Sequence, residues 1–292
     1  MKKIGLVGTG MLGNAVGLHL LKSEYQLTAY NRTMEKTNEL KKKGAQIVMT
    51  PKEVAKNSEV VITVVKDASA LKQVSFEKDG IIHGSHRDLV VCDMSTINPI
   101  ESKKISEKFF ENNITMLDIP VMGGPNVAIT GYLIMMAAGN KKTFDKCKGL
   151  FDTMANKVFF LGENGTAHGV KLAMNLQITM LALALSEGIT LSRAVKVDPK
   201  IFLEILNSTY FKTGMSENKA YKMIEDKFDA TFTLENLKKD INTILDTSKS
   251  LGLELPMTKK AKEVYENAAK DGFGNLDYTG ILAYLKKLNE KS

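Results

Sequence analysis

Apolar residues fall in short unbroken blocks through the first half of the chain and at helical spacing through the second. Lys3-Ile4-Gly5-Leu6-Val7 reads as a short strand that runs into Gly8-Thr9-Gly10-Met11-Leu12-Gly13 and then a helix over residues 14–21. A second strand follows at 27–30, a helix at 33–42 ended by Gly44, and a short strand at 46–48. Thr50-Pro51 supplies a capping residue and a first-turn proline for another short helix. Residues 60–65 and 89–93 have the wholly apolar pattern of buried strands. Further strands are expected at 115–118, 133–138 and 158–161, with a helix at 141–154 between the last two. Strands alternating with helices predict a parallel, doubly wound α/β sheet of Rossmann type, covered on both faces.

Beyond Gly165 the pattern changes. Residues 166–194 form one long helical stretch, apolar on most sides, as expected of a helix buried between domains or subunits. Helices follow at 199–207, 217–227, 234–251, 257–270 and 281–289, with no further strands. This predicts an all-α second domain over residues 163–292 after an α/β domain over 1–162, with Gly162 to Gly165 as the hinge.

Composition narrows the class. At 292 residues, 43% hydrophobic and 25% charged, the chain can bury a sizeable core. The net charge of +7 is spread over helix faces and mixed with Glu and Asp, without a series of stacking aromatics, so nucleic acid is not an expected partner. No apolar stretch is taken as a membrane span, and the N-terminal apolar run is too short for a signal peptide. A cytoplasmic protein is expected, with Cys92 and Cys147 as buried free thiols. The four histidines lie apart in sequence, so no metal site is expected.

The glycine turn carries the first chemistry. Gly8 permits a tight turn, Gly10 lets backbone approach a pyrophosphate, and Gly13 lets helix pack on strand. Together with Thr9, Met11 and Leu12 they form a dinucleotide phosphate cradle at a helix N-terminus. NAD-selective sites place an acid at the end of the second strand. Here that position reads Asn31-Arg32-Thr33, where Arg32 can pair a 2′-phosphate and Asn31 and Thr33 add polar groups, so NADP(H) is preferred and NAD is the lesser alternative. Thr33 is also expected to cap the next helix.

Five motifs then fall in register: Gly5 to Gly13, Asp93-Met-Ser95-Thr96-Ile-Asn-Pro99, Asp118-Ile-Pro120-Val-Met122-Gly123-Gly124, Gly169-Val-Lys171-Leu-Ala-Met-Asn175, and Phe232 with Lys239-Asp240. In order and spacing the chain resembles the β-hydroxyacid dehydrogenase family, which includes 3-hydroxyisobutyrate dehydrogenases and glyoxylate or succinic semialdehyde reductases. The resemblance implies a catalytic lysine at Lys171, with Asn175 one helical turn on and on the same face. It also implies Val65, Thr96 and Lys239 at the cofactor, and Thr96, Met122, Gly123, Gly124, Phe232 and Asp240 around the substrate. The active site is then expected in the cleft between the domains. Where 3-hydroxyisobutyrate dehydrogenases carry a serine this chain has Met122, and Met174 replaces a second asparagine. His168 and Arg193 are polar residues of the same helix whose spacing does not distinguish ligand contact from packing.

The function expected from these residues is NADP-dependent hydride transfer between a short carboxylate-bearing aldehyde or ketone, of glyoxylate or succinic semialdehyde type, and its hydroxy acid. The alternatives are a 3-hydroxyisobutyrate dehydrogenase, an imine reductase, and a non-catalytic cofactor-binding module that recognises a partner. A homodimer or homotetramer is expected from the apolar surface of the helical half.

Overall fold

The computed structural model describes residues 2–290. The chain divides into two compact units, the first ending at Lys171 and the second beginning at Leu172. The first six turns of sequence alternation in the α/β unit build strands β1 (Lys3–Val7), β2 (Gln26–Tyr30), β3 (Gln46–Ile47), β4 (Val60–Thr63), β5 (Val90–Asp93) and β6 (Thr115–Asp118). These are all parallel, in the order β3-β2-β1-β4-β5-β6. β1 sits where the order reverses, so the chain leaving it enters the crevice at the carboxyl edge that such sheets use for ligands.

The sheet is mixed, which corrects the all-parallel expectation. β7 (Val121–Met122), β8 (Leu133–Gly139) and β9 (Ala155–Phe160) complete it; β8 runs antiparallel to β6 and β7, and β9 is parallel to β8. Between Met122 and Leu133 there is only one short helical turn, too little for the crossover that a parallel return requires. Around the sheet lie helices α1 (Met11–Lys22), α2 (Asn38–Lys42), α3 (Pro51–Lys56), α4 (Ala68–Phe76), α5 (Pro99–Glu111), α6 (Pro125–Ala128) and α7 (Lys141–Met154). Two apolar clusters cover its faces, one including Ile4, Leu6, Leu20 and Phe151, the other Val61, Leu71, Ile105 and Phe109. Cys92 and Cys147 are buried free thiols in the first of these, and burial pushes the Cys92 thiol up.

Local chemistry explains the boundaries. Thr50 caps α3 by accepting from the Glu53 N–H at 3.2 Å, as its sequence predicts. The helix expected at 33–42 is instead a 3-10 turn, Met34–Thr37, followed by α2, and Thr33 makes no capping hydrogen bond. The strand expected at 60–65 ends at Thr63, because the Val65 N–H is taken by Ser95 Oγ at 2.9 Å.

Helix α8 (Thr166–Ala194) contributes its first turns to the α/β unit and then continues as the first helix of the second. With a mean hydropathy of 1.4 it is long and apolar enough to cross a membrane, contrary to the expectation that no stretch would be. Some of its apolar residues serve a protein core, Ala182 packing with Leu237 and Tyr265, and Leu185 and Ile189 with Leu203 and Leu282, whereas Val170, Met174, Leu181 and Leu191 are exposed. The helical unit continues through α9 (Pro199–Asn207), α10 (Gly214–Asn218), α11 (Ala220–Ile224), α12 (Leu234–Ser250), α13 (Pro256–Ala268) and α14 (Ile281–Glu290). The single helix expected at 217–227 is therefore two, broken at Lys219, whose ammonium turns to Asp277 at 2.8 Å.

Candidate active site

The turn after β1 has the shape its glycines predict. Gly8 sits at φ +100°, and a Cβ there would lie 2.2 Å from the Val64 carbonyl oxygen. A Cβ on Gly13 would meet the Gly8 carbonyl oxygen at 2.1 Å, so α1 can approach β1 only because this residue is glycine. Gly10 is different: a Cβ there would meet nothing within 4 Å. Gly10 is also the N-cap of α1, with no side chain on the helix end and no acid in the first turn. Its open face leaves helix N–H groups and the positive dipole end available to an anion, which fits a dinucleotide pyrophosphate.

Asn31 and Arg32 divide the work at the end of β2. Asn31 Oδ1 accepts from the Thr9 N–H at 3.0 Å and its Nδ2 donates to the Thr33 carbonyl at 2.8 Å, so both ends of the amide hold the glycine turn against the strand end. Thr9 is buried, and its hydroxyl donates to the Lys36 carbonyl at 3.0 Å. Arg32 and Thr33 are exposed, and among the described residues the guanidinium makes no hydrogen bond or ion pair. No carboxylate occupies this strand end. Met11 is exposed at the first position of α1, and Leu12 is half-buried beside it.

Lys171 lies half-buried on the second turn of α8 and donates to Met122 Sδ at 3.2 Å. Of its apolar neighbours Leu172 is buried, whereas Val170 and Ala173 are exposed. Met122 ends β7 and packs on Met136, Ala138 and Ala167. The chain then turns through Gly123 at φ +116°, a conformation open to glycine, and Gly124, the N-cap of α6. Thr96 is half-buried in the loop after β5, next to buried Ser95, whose hydroxyl accepts from Val65.

In the helical unit Asn175 is buried, at 1% exposed. Its Nδ2 donates to Asp240 Oδ2 at 2.7 Å, while its Oδ1 has no hydrogen-bond partner among the described residues. Lys239 Nζ pairs with Asp240 Oδ1 at 2.6 Å, so Asn175, Asp240 and Lys239 form one polar chain between α8 and α12. Phe232 precedes α12, its ring 6.0 Å from that of Tyr278.

Sequence spacing missed a further group. His168, buried at 0% exposed, stands beside Asp93 and Asp118, both also buried. A signal for it existed, since β5 and β6 each end in aspartate and the parallel register sets Asp93 directly opposite Asp118. Arg193, by contrast, donates to the Ile224 carbonyl at 3.3 Å within the helical unit.

Known proteins match along nearly the full chain. Residues 3–162 match the NAD binding domain of 6-phosphogluconate dehydrogenase, and residues 165–285 match the family described as NAD-binding of NADP-dependent 3-hydroxyisobutyrate dehydrogenase. A probable 3-hydroxyisobutyrate dehydrogenase-like 1, mitochondrial, of Arabidopsis thaliana is 32% identical over 99% of this chain and 87% of that protein. Glyoxylate/succinic semialdehyde reductase 1 of Arabidopsis thaliana is 29% identical, covering 97% of this chain and 98% of the relative. The crystal structure of 3-hydroxyisobutyrate dehydrogenase from Salmonella typhimurium superposes with a TM-score of 0.87 at 23% identity, covering 96% and 99% of the two chains, and shares the fold. With a dinucleotide cradle at its first turn, a lysine on the long helix, and matching relatives from end to end, the chain belongs to the 3-hydroxyisobutyrate dehydrogenase-like β-hydroxyacid dehydrogenase family of NAD(P)-dependent oxidoreductases.

Proposed function

We propose that the protein interconverts a short carboxylate-bearing aldehyde or ketone, of glyoxylate or succinic semialdehyde type, and its hydroxy acid, with NADP(H) as the preferred cofactor. The observation that carries this reading is Lys171 Nζ, half-buried on α8 and in contact with Met122 at the head of the Gly123-Gly124 turn. NADP(H), which the turn from Gly8 to Gly13 would hold, would supply or accept the hydride. Lys171 acts on the oxygen: in reduction its ammonium stabilises the developing alkoxide and gives it a proton, and in oxidation the neutral amine takes that proton back. Backbone N–H groups of the Gly123-Gly124 turn receive the carboxylate.

Arg32 supports NADP over NAD, since its guanidinium is exposed and, among the described residues, without an ion pair where NAD-selective sites hold an acid. The family description matched by residues 165–285 names an NADP-dependent enzyme and agrees with that preference. Retention of Lys171 argues against an imine reductase and against a binding module without chemistry. Exposed Leu191, Val195, Ile201 and Ile205 in the helical unit support a homo-oligomer, to be measured by light scattering.

The test is a panel of semialdehydes, 2-oxo acids and cyclic imines with NADPH, followed by loss of its absorbance. Turnover of a carboxylate-bearing carbonyl is expected, and Lys171→Ala should lower kcat by about 10²–10⁴-fold while NADPH still binds. No NADPH consumption with any carbonyl, or an intact rate in Lys171→Ala, overturns the proposal.

A further inference from the structure

Asp93, Asp118 and His168 form a fully buried ionisable cluster at the carboxyl edge of the sheet. His168 Nε2 lies 3.5 Å from Asp93 Oδ2 and 3.7 Å from Asp118 Oδ1, placing one imidazole nitrogen between two carboxylates. Each carboxylate is held from its other side. Asp93 Oδ1 accepts from Thr63 Oγ1 at 2.6 Å and Ser95 Oγ at 2.7 Å. Asp118 Oδ1 accepts from Ser102 Oγ at 2.7 Å and Asn164 Nδ2 at 2.9 Å, and its Oδ2 from the Gly165 N–H. What stays without a hydrogen bond among the described residues is Asp93 Oδ2 and both ring nitrogens of His168, of which Nε2 faces Asp93 Oδ2. Burial, and to a lesser degree Asp118, push the Asp93 carboxyl up, while His168 opposes them.

Such a cluster is costly in a core that apolar side chains could fill. Its connections run to the candidate active site. Ser95 Oγ donates to Asp93 and accepts from the Val65 N–H, tying the cluster to the loops after β4 and β5 and so to Thr96. Asp118 leads in four residues to Met122, and the Gly165 N–H fixes the turn that opens α8. His168 and Lys171 are three residues apart and share a helix face. The start of α8 therefore meets the segment from Asp118 to Met122 twice: His168 at Asp118, and Lys171 at Met122 Sδ.

We propose that His168, seated between Asp93 and Asp118, is a positioning residue that fixes where Lys171 Nζ stands relative to the Met122-Gly124 turn and the Thr96 loop. The inference rests on Lys171 being the proton donor. A shift of about 1 Å in a reacting group costs on the order of 10²-fold in rate.

Steady-state kinetics of His168→Leu and His168→Gln, together with NADPH binding followed by the cofactor's own fluorescence, test this. His168→Leu should lower kcat by about 10–100-fold with the NADPH dissociation constant within about twofold of wild type. His168→Gln, which can still donate toward a carboxylate, should recover kcat to within about fivefold. A wild-type kcat in His168→Leu, or a parallel loss of kcat and cofactor affinity that Gln does not relieve, overturns the proposal. Should His168→Leu fail to fold, Asp93→Asn takes its place, since it keeps the acceptor for Thr63 and Ser95 and alters only the atom facing His168. It should lower kcat without weakening NADPH, and an unchanged kcat overturns the proposal. A separate arm labels Lys171 with pyridoxal phosphate and borohydride and reads the site by mass spectrometry. There His168→Leu should change the labelling rate by about threefold or more, a direct consequence of moving the amine, and His168→Gln should bring it back toward the wild-type rate. An unchanged rate in His168→Leu overturns the positioning role, whereas a changed rate in His168→Leu together with a wild type that turns over no substrate overturns only the proposed function.

Discussion

Lys171 Nζ donates to the Met122 thioether at 3.2 Å, so the ammonium proposed as proton donor meets sulfur where the resemblance to 3-hydroxyisobutyrate dehydrogenases implies a serine. Sulfur is a weak acceptor, and Met122 brings an apolar side chain packed on Met136 and Ala138 to the turn proposed for the carboxylate. Met122→Ser restores a hydroxyl donor. It should raise kcat/KM for the shortest carboxylate substrates by about 10-fold, the value of one hydrogen bond to a charged group, and leave KM for NADPH unchanged. Equal changes for substrates with and without a carboxylate would show that Met122 does not set specificity.

Arg32 gives a prediction that Asn31 does not. Asn31 spends both ends of its amide on Thr9 and Thr33, so its replacement should weaken either cofactor by loosening the glycine turn. Arg32→Ala should raise KM for NADPH by about 10–100-fold and leave KM for NADH within about twofold. Comparing the two cofactors on one substrate measures it.

Gly10 and Gly13 should fail in opposite ways. The space beside Gly10 is open and its φ is −66°, so Gly10→Ala should keep its urea midpoint while NADPH binding weakens, because the methyl group intrudes on the cradle. Gly13→Ala drives a Cβ into the Gly8 carbonyl at 2.1 Å and should lose about 1–3 kcal/mol of stability. Urea unfolding and cofactor titration of both variants separate the two effects.

How far the sequence could be read depended on where each element's boundary is decided. Helices α7, α8 and α9 begin and end where their patterns predict, with Asn140 and Asp198 supplying visible caps to α7 and α9. Helices α4 and α5 were not evident from apolar periodicity, yet Asp67 accepts from Ala70 and Asn98 from Ile100, so their signals lay in the caps. Strand β4 ends two residues early and the 217–227 helix breaks because distant partners, Ser95 and Asp277, claim the backbone or the side chain there. The same holds at the candidate site. The glycine turn is a local motif and Lys171 is named through the family resemblance, whereas the cluster of Asp93, Asp118 and His168 exists only through strand register, which spacing along the chain does not display.

Asp277 gives the helical unit an acid-sensitive joint. The carboxylate is 3% exposed and accepts from Lys219 Nζ at 2.8 and 2.9 Å, from Thr231 N at 3.2 Å and Oγ1 at 3.1 Å, and from Thr279 Oγ1 at 2.9 Å. Burial alone would push its carboxyl up, but Lys219 and these donors outweigh it and hold it below the usual aspartate range. An acid whose folded value is depressed stabilises the fold above its unfolded value near ~4 and loses that contribution as pH falls through the folded value. Thermal unfolding should therefore show the midpoint falling as pH drops below about 4. Asp277→Asn should flatten that dependence and lower stability at neutral pH by about 2–4 kcal/mol, since Lys219 is left partly buried without its counter-charge. Because Asp277 also holds the turn before Phe232, the Phe232 ring should lose order with it, seen as broadening of its proton resonances. An unchanged pH dependence in Asp277→Asn would assign the acid sensitivity to another carboxylate.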